Sequence, residues 1–506
     1  MEITTFSRII IIFVFSAYTL LLLLYGIFSR LNSTNNIKGD FLSKYYTGNR
    51  TGGKIMTAMM VSAGVAGAGV FMGVPGFTYK FGAIWMVCCF WSMTSNFMVL
   101  GLIGKRIGII ARRTNANTFI ELFKNRYNNS KFFIILSSLV ILFFLGAFAV
   151  STITGGGRIF QVLTGQDYRI GLAIFTVLVI IAALTGGIKG IATAMIIQGI
   201  IMTCSVLILF VMGVRSTGLG YTGTINALLE STPEWFAPDG SMPLKKALAT
   251  VFSFSILWGL TTFTMPHVSM TALTYKDTKT LHSSIKIGTI VFAIWMLGLN
   301  GLCFAVKYNF PEGSLPTPDL GIPMLAVKTM PAWAAGLVLA GVCSAVQSSV
   351  GGMIVSLAGT FVKDLYINLI NLYINLINPD AHGKKLKLFN NICTVLISLV
   401  IFLFACKPPA LLASLITYAT GGMTVAFFHT VLLGLYWKRA NEYGACAGIL
   451  SGIALYILID TKILPVGLGM NACVMATFIS FLIMVIVSLL TPKSPYRIIK
   501  TWFGKE

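Results

Sequence analysis

Two stretches of this sequence carry residues that could hold a small cation with neutral oxygen atoms. The first, VSAGVAGAGVFMGVPG (61–76), places five glycines and a proline inside an apolar segment. The second, AGVCSAVQSSVGG (340–352), carries the hydroxyl pair Ser348 and Ser349. Glycine lets a helix unwind and expose backbone carbonyl oxygens, and serine adds hydroxyl oxygens. Together they could bind sodium, although serines in membrane helices more often bond to a carbonyl of the preceding turn.

A second interrupted apolar segment helps to explain the glycines. Taken alone, close helix packing explains glycines spaced like Gly69 and Gly73. However, FSILWGLTTFTMPHVSM (254–270) carries three threonines and Pro266 in the middle of another apolar run. Unwound backbone in a membrane is tolerated only where it is buried in protein or lines a cavity, and paired broken helices mark the binding sites of secondary transporters. The sequence therefore favours two broken helices around a binding site.

These segments lie in a chain whose composition is that of a membrane protein. Its 506 residues are 56% hydrophobic and 10% charged, with a mean hydropathy of +0.85. A helix needs about 20 apolar residues to cross a bilayer. We predict an all-α integral membrane protein with about thirteen transmembrane helices. In chain order, spans one to thirteen cover 8–29, 55–79, 83–104, 132–157, 170–187, 190–214, 248–274, 285–306, 331–362, 388–405, 409–436, 443–460 and 468–490.

The basic residues predict the orientation of these spans. With the N-terminus outside and the C-terminus in the cytoplasm, 26 of the 37 lysines and arginines fall on the inner side, as the positive-inside rule requires. The net charge of +22 is then a consequence of topology and needs no nucleic-acid partner. The expected location is the cell membrane, with multiple passes.

The broken spans two and seven are five apart, so each opens a block of five helices, and the odd number inverts the second block. This predicts a 5+5 inverted-repeat core. The predicted divisions are an N-terminal flanking helix (1–30), a cytoplasmic loop (31–54), the first five-helix repeat (55–214), an extracellular loop (215–247), the second repeat (248–436), and two C-terminal helices with a cytoplasmic tail (437–506).

Smaller features complete the organisation. Thr118 and Glu121 have the spacing of a capping box, which predicts a short helix in the loop 105–131. The tandem heptad LYINLINLYINLIN (365–378) suits a helix on the inner membrane surface, but harmless duplication of a helix end explains it as well. The nine cysteines lie almost entirely in apolar runs, which favours small buried hydrophobes over disulfides.

The ionisable residues favour a sodium-coupled carrier over other classes of membrane protein. The fifteen acidic residues fall in loops or at span ends, so a mid-membrane carboxylate for proton coupling is not expected. The motifs HExxH and GxSxG are not found in the sequence, which disfavours an enzyme. His267 could touch a solute, although a packed neutral imidazole is the commoner role. A channel is conceivable, but two blocks with interrupted helices favour alternating access.

Several stretches resemble the sodium:solute symporter family, between residues 45 and 456. They are YKFG (79–82), ARRTNA (111–116), GGGRIF (155–160), YKDTK (275–279), PDLGIP (318–323), VKDLY (362–366), KPP (407–409) and VLLGLYWKRAN (431–441). The resemblance implies a fold of the leucine-transporter type and sodium-coupled import of a small organic solute. YKDTK, PDLGIP and KPP favour pantothenate; another small carboxylate or an amino acid such as proline is the alternative.

The resemblance also implies site residues. Sodium would be bound by backbone carbonyls of span two and by span nine, through Ala63, Ala66, Ala345, Ser348 and Ser349. The solute would lie beside it, against Phe71, Trp258, Thr261, Ser414 and Thr417. Arg158 could attract anions or anchor span four at the membrane interface.

Two positions depart from the family's pattern. The family has an Asp three residues before the glutamine that is Gln198 here, where this chain has Met195. It has an Arg five residues after the proline that is Pro266 here, where this chain has Thr271. Both positions lie toward the predicted cytoplasmic half. A carrier with weakened sodium coupling is therefore a further alternative.

Overall fold

The computed structural model describes residues 5–33, 41–237, 243–370, 382–407, 412–464 and 470–504, and these are almost entirely helical. The α-helices are Thr5–Ser33, Phe41–Thr47, Lys54–Val65, Val74–Phe81, Met86–Ser92, Lys105–Thr114, Phe119–Arg126, Lys131–Val140, Gly146–Thr164, Tyr168–Arg215, Gly220–Ser231, Pro233–Phe236, Leu244–Ser255, Pro266–Ser269, Thr278–Asn309, Gly321–Thr329, Ala332–Gly359, His382–Ala405, Leu412–Tyr436, Glu442–Asp460, Ala472–Leu490 and Tyr496–Phe503. Several are extended by π-helical segments at Gly69–Gly73, Phe97–Gly104, Ile141–Leu145, Ile256–Leu260 and Thr360–Ile370.

Among the described residues, nine helices are long and apolar enough to cross a membrane, or ten if the bent pair Lys54–Val65 and Gly69–Phe81 forms one span. Two further apolar helices, Phe6–Leu22 and Tyr168–Leu184, are shorter. The segment predicted as span seven is divided into short pieces. The chain is thus an all-α protein with many apolar spans, and the number thirteen stays a prediction.

Span two is broken where the glycines predict. Its two halves meet at an angle of 54°. At Ala66 the backbone leaves the helical region, with φ −80° and ψ 53°. The next amide, of Gly67, donates to the carbonyl of Val65 only two residues back, at 2.9 Å. The helical ladder is therefore interrupted at this point, inside the protein.

Span seven is broken as well. After the π-helical turn Ile256–Leu260 the chain forms a 3₁₀ turn at Thr262–Thr264 and becomes extended at Met265. Pro266 then starts a short helix, a position where its missing N–H costs no hydrogen bond.

Span nine forms the centre of the structure. Of its most apolar window, 94% is buried inside the protein, against 33% for spans ten and thirteen and 39% for span twelve. The serine pair therefore lies on the most enclosed helix, and the last two spans pack at the periphery.

Spans five and six were predicted as separate helices and are joined without a loop. The helix Tyr168–Arg215 runs through both spans. Its backbone leaves the helical region at Gly187, with φ 53° and ψ −154°. A Cβ at this position would lie 2.8 Å from the carbonyl oxygen of Tyr45. The backbone angle and the close approach both require glycine here.

The predicted loop 215–247 contains two helices, Gly220–Ser231 and Pro233–Phe236. The N-cap is confirmed, because the amide of Glu121 donates to Thr118 Oγ1 at 3.0 Å. The Glu121 carboxylate accepts the amide of Asn117 at 2.9 Å, one residue before the N–H that a capping box uses. Residues 371–378 of the tandem heptad lie outside the described residues. Most of the described cysteines are buried, as expected, but Cys204 is exposed.

Candidate functional site

The residues predicted to bind sodium converge beside the break of span two. The carbonyl oxygen of Ala63 accepts hydrogen bonds from Ser349 Oγ at 2.8 Å and from Ser348 Oγ at 3.1 Å. The Ser348 hydroxyl also lies 3.1 Å from the carbonyl oxygen of Ala345. All four residues are 0–1% exposed. Two carbonyls and two hydroxyls from two spans thus form one buried group of neutral oxygens, and hard oxygens of this kind suit a hard cation.

Ala66, the fifth predicted ligand, lies in the break itself and is fully buried. Its neighbour Gly67 packs directly against Ser349. A Cβ on Gly67 would lie 3.1 Å from Ser349 Oγ and 3.2 Å from Cγ2 of Thr152 in span four. Gly67 therefore lets span two approach span nine closely, and Thr152 is a neighbour of the group that the sequence did not point to.

A cavity of about 50 Å³ lies between the two broken spans, and two residues of its wall, Val65 and Gly69, flank the break of span two. It is large enough for a few water molecules. Its walls also include spans three, four, eight and eleven. The lining residues are Val65, Gly69, Val70, Val74, Ser92, Phe148, Trp258, Thr262, Met265, Met296, Ile416 and Thr420.

The structure brings one of the predicted solute residues, Trp258, into the wall of the cavity. Its indole N–H is buried and has no hydrogen-bond partner among the described residues. A buried donor without an acceptor costs about 1–3 kcal/mol. An acceptor on a bound solute would recover this cost, so the tryptophan offers a directed hydrogen bond.

The other predicted solute residues are placed differently. Thr261 is buried, and its hydroxyl donates to the carbonyl of Leu257 at 2.6 Å. Thr417 is also buried. The ring of Phe71 packs against Trp295, with 6.2 Å between centroids, and Ser414 is exposed. None of these four lines the cavity as described.

Three hydroxyl residues line the cavity without having been predicted. Thr262 is the neighbour of Thr261, and Thr420 lies three residues after Thr417, on the same face of its helix. Ser92 of span three is the third. The threonine cluster of span seven was a usable indication for Thr262, whereas nothing in the sequence singled out Ser92. His267 is buried near this wall, with its ring edge-on to Phe148 at 5.7 Å.

A second cavity, of about 40 Å³, lies on the other side of Ser348. It is formed between spans one, five, six and nine and is lined by Leu22, Ile181, Ala182, Gly190, Ile191, Ala194, Gln198, Gln347, Ser348 and Gly351. Two of these side chains are joined, since Gln198 Nε2 donates to Gln347 Oε1 at 3.2 Å. The oxygen group is therefore bordered by space on its span-six side as well.

Residues 45–452 match the model of the sodium:solute symporter family. The chain belongs to this family. The sodium/pantothenate symporter of Haemophilus influenzae is 33% identical over 426 residues, which are 83% of this chain and 85% of that protein. The sodium/pantothenate symporter of Escherichia coli is 32% identical and covers similar shares, 84% and 85%. An osmoregulated proline transporter of Bacillus subtilis is 25% identical over 90% of this chain and 92% of its own length.

Solved structures show the same fold. A Na⁺-coupled sialic acid symporter in a substrate-bound outward-open state superposes with a TM-score of 0.78 at 18% identity, covering 96% of this chain and 99% of that one. MhsT in complex with L-phenylalanine gives 0.54 at 13% identity, over 86% and 97%. The predicted fold of the leucine-transporter type is confirmed.

Family membership fixes the class of activity. This sodium:solute symporter is a secondary transporter of the plasma membrane and not an enzyme, and sodium is the ion it transports with its solute. The donor set suits this ion, because the oxygen group carries no formal charge. Within the described ranges, no three His, Cys, Asp or Glu side chains cluster as a metal site would require.

Of the two positions that depart from the family's pattern, Met195 packs against span nine, and Met270, the neighbour of Thr271, contacts the next turn of the same span. Met195 is 3% exposed, and its Cε lies 3.9 Å from where a Cβ on Gly352 would be. Met270, next to Thr271, accepts a contact from Ser356 Oγ at 3.3 Å. The Thr271 hydroxyl is buried and has no hydrogen-bond partner in the described structure. Both positions are thus buried inside the protein.

Proposed function

We propose that this symporter imports pantothenate together with sodium by alternating access. The observation that carries the proposal is that the oxygen group and the cavity both lie at the break of span two. Ala63, Ser348 and Ser349 form the group at the break of span two, and the cavity opens between that break and the break of span seven. An ion and a solute bound side by side at two interruptible helices are positioned to influence each other's binding.

For sodium, we propose the ligands Ala63, Ala66, Ala345, Ser348 and Ser349. The hydroxyls that donate to the Ala63 carbonyl also carry lone pairs. With sodium bound, the two hydroxyls would point their lone pairs toward the ion, and the carbonyl oxygens would face it directly.

For the solute, we propose a site around Trp258, with Phe71, Thr261, Ser414 and Thr417 contributing where the walls separate. The cavity itself supports adding its own hydroxyl residues, Ser92, Thr262 and Thr420. Pantothenate carries hydroxyl, amide and carboxylate groups beside an apolar centre, and a mostly apolar wall with a few hydrogen-bonding groups is typical of sites for such molecules.

The size of the cavity supports a change of conformation during transport. About 50 Å³ is too little for a solute of this size, since ligand pockets usually measure roughly 300–1,000 Å³. The walls must therefore move apart to admit the solute. The breaks of spans two and seven are suited to this movement, because each half can tilt without disrupting a continuous helical ladder.

Uptake in proteoliposomes tests the proposed function. With the purified protein, we expect radiolabelled pantothenate to accumulate under an inward sodium gradient and not under a matched potassium gradient. Proline serves as the second solute, since relatives of 24–25% identity are proline transporters. Proline uptake without pantothenate uptake would show that the transported solute is proline and not pantothenate. Equal uptake with and without sodium would contradict symport.

We also propose that the N-terminus lies outside and the C-terminus in the cytoplasm, because this places 26 of the 37 basic residues inside. A reporter that is active only in the cytoplasm, fused after Glu506, should therefore be active. A reporter active only outside should be silent at the same site. The opposite pair of results would reverse the proposed orientation.

A further inference from the structure

A buried ion pair joins four segments at one end of the core. Arg158 Nη1 of span four lies 2.5 Å from Asp319 Oδ2, and the two residues are 6% and 1% exposed. Asp319 Oδ2 also accepts the amide of Leu412, at the start of the helix of span eleven, at 3.1 Å. The other carboxylate oxygen faces span two, where a Cβ on Gly76 would lie 2.8 Å away. One carboxylate, in the 3₁₀ turn Pro318–Leu320, thus connects spans two, four and eleven.

This ion pair lies directly beyond the solute cavity. Leu412 is two helical turns before Thr420, which lines the cavity, so the two backbones are about 12 Å apart along span eleven. On span four, Gly155 lies one turn before the arginine and packs against the break of span two, where its Cβ would be 2.6 Å from the Cβ of Ala68. The pair and the segments it connects therefore stand between the cavity and this end of the protein.

Contact between these sequence stretches was not predicted. Arg158 belongs to GGGRIF and Asp319 to PDLGIP, while Leu412 follows KPP (407–409) closely. Burial raises the pKa of the Asp319 carboxyl above its ordinary value, although the Arg158 guanidinium and the Leu412 amide act in the opposite direction. The charged carboxylate is thus costly in its buried place and would regain hydration if this end opened.

We propose that the Arg158–Asp319 pair is the latch of a gate at this end of the solute pathway, closed in this structure and broken when the cavity opens to that side. The latch rests on the alternating-access part of the proposed function, and the proposed orientation places it on the extracellular side. A buried ion pair suits a latch, because its attraction is nearly offset by the hydration that its charges lose. It can therefore specify the closed arrangement without making opening prohibitive.

The latch can be tested by measuring how accessible the cavity is from each side of the membrane. This measurement requires no transport of solute or sodium. Thr420→Cys provides a reporter thiol in the cavity wall, labelled with a membrane-impermeant maleimide in right-side-out and inverted vesicles. Each variant without the reporter gives the background from native cysteines. In Arg158→Gln, in Asp319→Asn and in the double variant, we expect labelling from the Asp319 side to be faster by at least about tenfold, equivalent to about 1.4 kcal/mol.

The double variant separates a latch from damage to the fold. Each single change leaves one buried charge uncompensated, whereas the double change leaves none. Asparagine keeps the shape of the aspartate, and glutamine keeps the aliphatic part of the arginine with a polar end. Lys363→Gln is the matched control, since it removes one of the two basic partners of Glu121 (3.5 Å) from a different ion pair and should leave labelling from the Asp319 side unchanged. The proposal is overturned if the well-folded double variant labels at the wild-type rate. Such a result would leave the uptake experiment unaffected.

Discussion

Replacement of Ser349 by alanine should raise the sodium concentration for half-maximal uptake by at least about tenfold, or roughly 1.4 kcal/mol. The Ser349 hydroxyl makes the shortest contact of the oxygen group, 2.8 Å to the Ala63 carbonyl. Because every oxygen in this group is neutral, each one contributes substantially to holding the ion, and the remaining ligands cannot move far in a fully buried site. Initial rates of solute uptake against sodium concentration measure the change.

Ser356→Ala is the matched control for this prediction. Ser356 is a buried serine on the same helical span, seven residues further along, and its hydroxyl contacts the sulfur of Met270. The sodium dependence of this variant should remain that of the wild type. The rise in melting temperature on adding sodium gives an independent measurement, since an ion that binds only the folded state stabilises it. An unchanged sodium response in Ser349→Ala would remove Ser349 from the site.

The resemblance to the family implied the proposed sodium ligands, and the local sequence agreed with it through the glycine-rich segment and the adjacent serines. Five glycines and a proline in one short apolar segment indicated a break in span two, and the structure has this break at Ala66. Ser348 and Ser349 are adjacent on one helix, and the central position of span nine brings both to the same carbonyl. Here local chemistry and global packing favour the same arrangement.

The walls of the cavity were less predictable, because they depend on how each side chain points after the spans have packed. Phe71 lies in the broken span, yet its ring packs on Trp295 and lies away from the cavity. Thr262 and Thr420 line the cavity, whereas the predicted Thr261 and Thr417 lie beside it. Neighbouring hydroxyl residues, even Thr417 and Thr420 on one helix face, differ in whether they reach the cavity, and their spacing in the sequence does not resolve this.

The contact between Arg158 and Asp319 was also not predictable from the sequence, because it depends on the packing of segments that are far apart in the chain. The two residues are 161 positions apart, and each belongs to a separate sequence stretch with no motif in common. The sequence placed Arg158 at the end of span four and left its role open between attracting anions and anchoring the helix. Only the packing of the segment before span nine onto spans two, four and eleven gives it a buried carboxylate as partner.

Met195→Asp should damage expression or transport severely. Met195 is 3% exposed and packs at Gly352 of the central span, so a carboxylate there would be buried among apolar groups. A buried charge without a partner costs roughly 3–5 kcal/mol, a large part of the stability of a folded protein. The amount of protein in the membrane and the uptake per molecule would both be measured.

Adding Thr271→Arg should recover much of this loss. The family's pattern has an Asp and an Arg at these two positions, and this chain has neither, as expected if the two charges form a pair that is cheaper to lose together than singly. Met195 and Met270, the residue before Thr271, contact span nine one turn apart, at Gly352 and Ser356, so the two positions lie in the same part of the core. A newly paired arginine would compensate the aspartate in a region with little water.

Ala192→Asp is the control for this rescue. Ala192 is on the same helix and fully buried, so an aspartate there should be equally damaging, but Thr271→Arg should not repair it if the rescue depends on a specific pair. A double variant of Met195→Asp and Thr271→Arg as poor as the sum of the two single variants would show that the positions are not coupled. Met195 and Thr271 would then be independent departures, and each would have to be tested separately for an effect on the release of sodium.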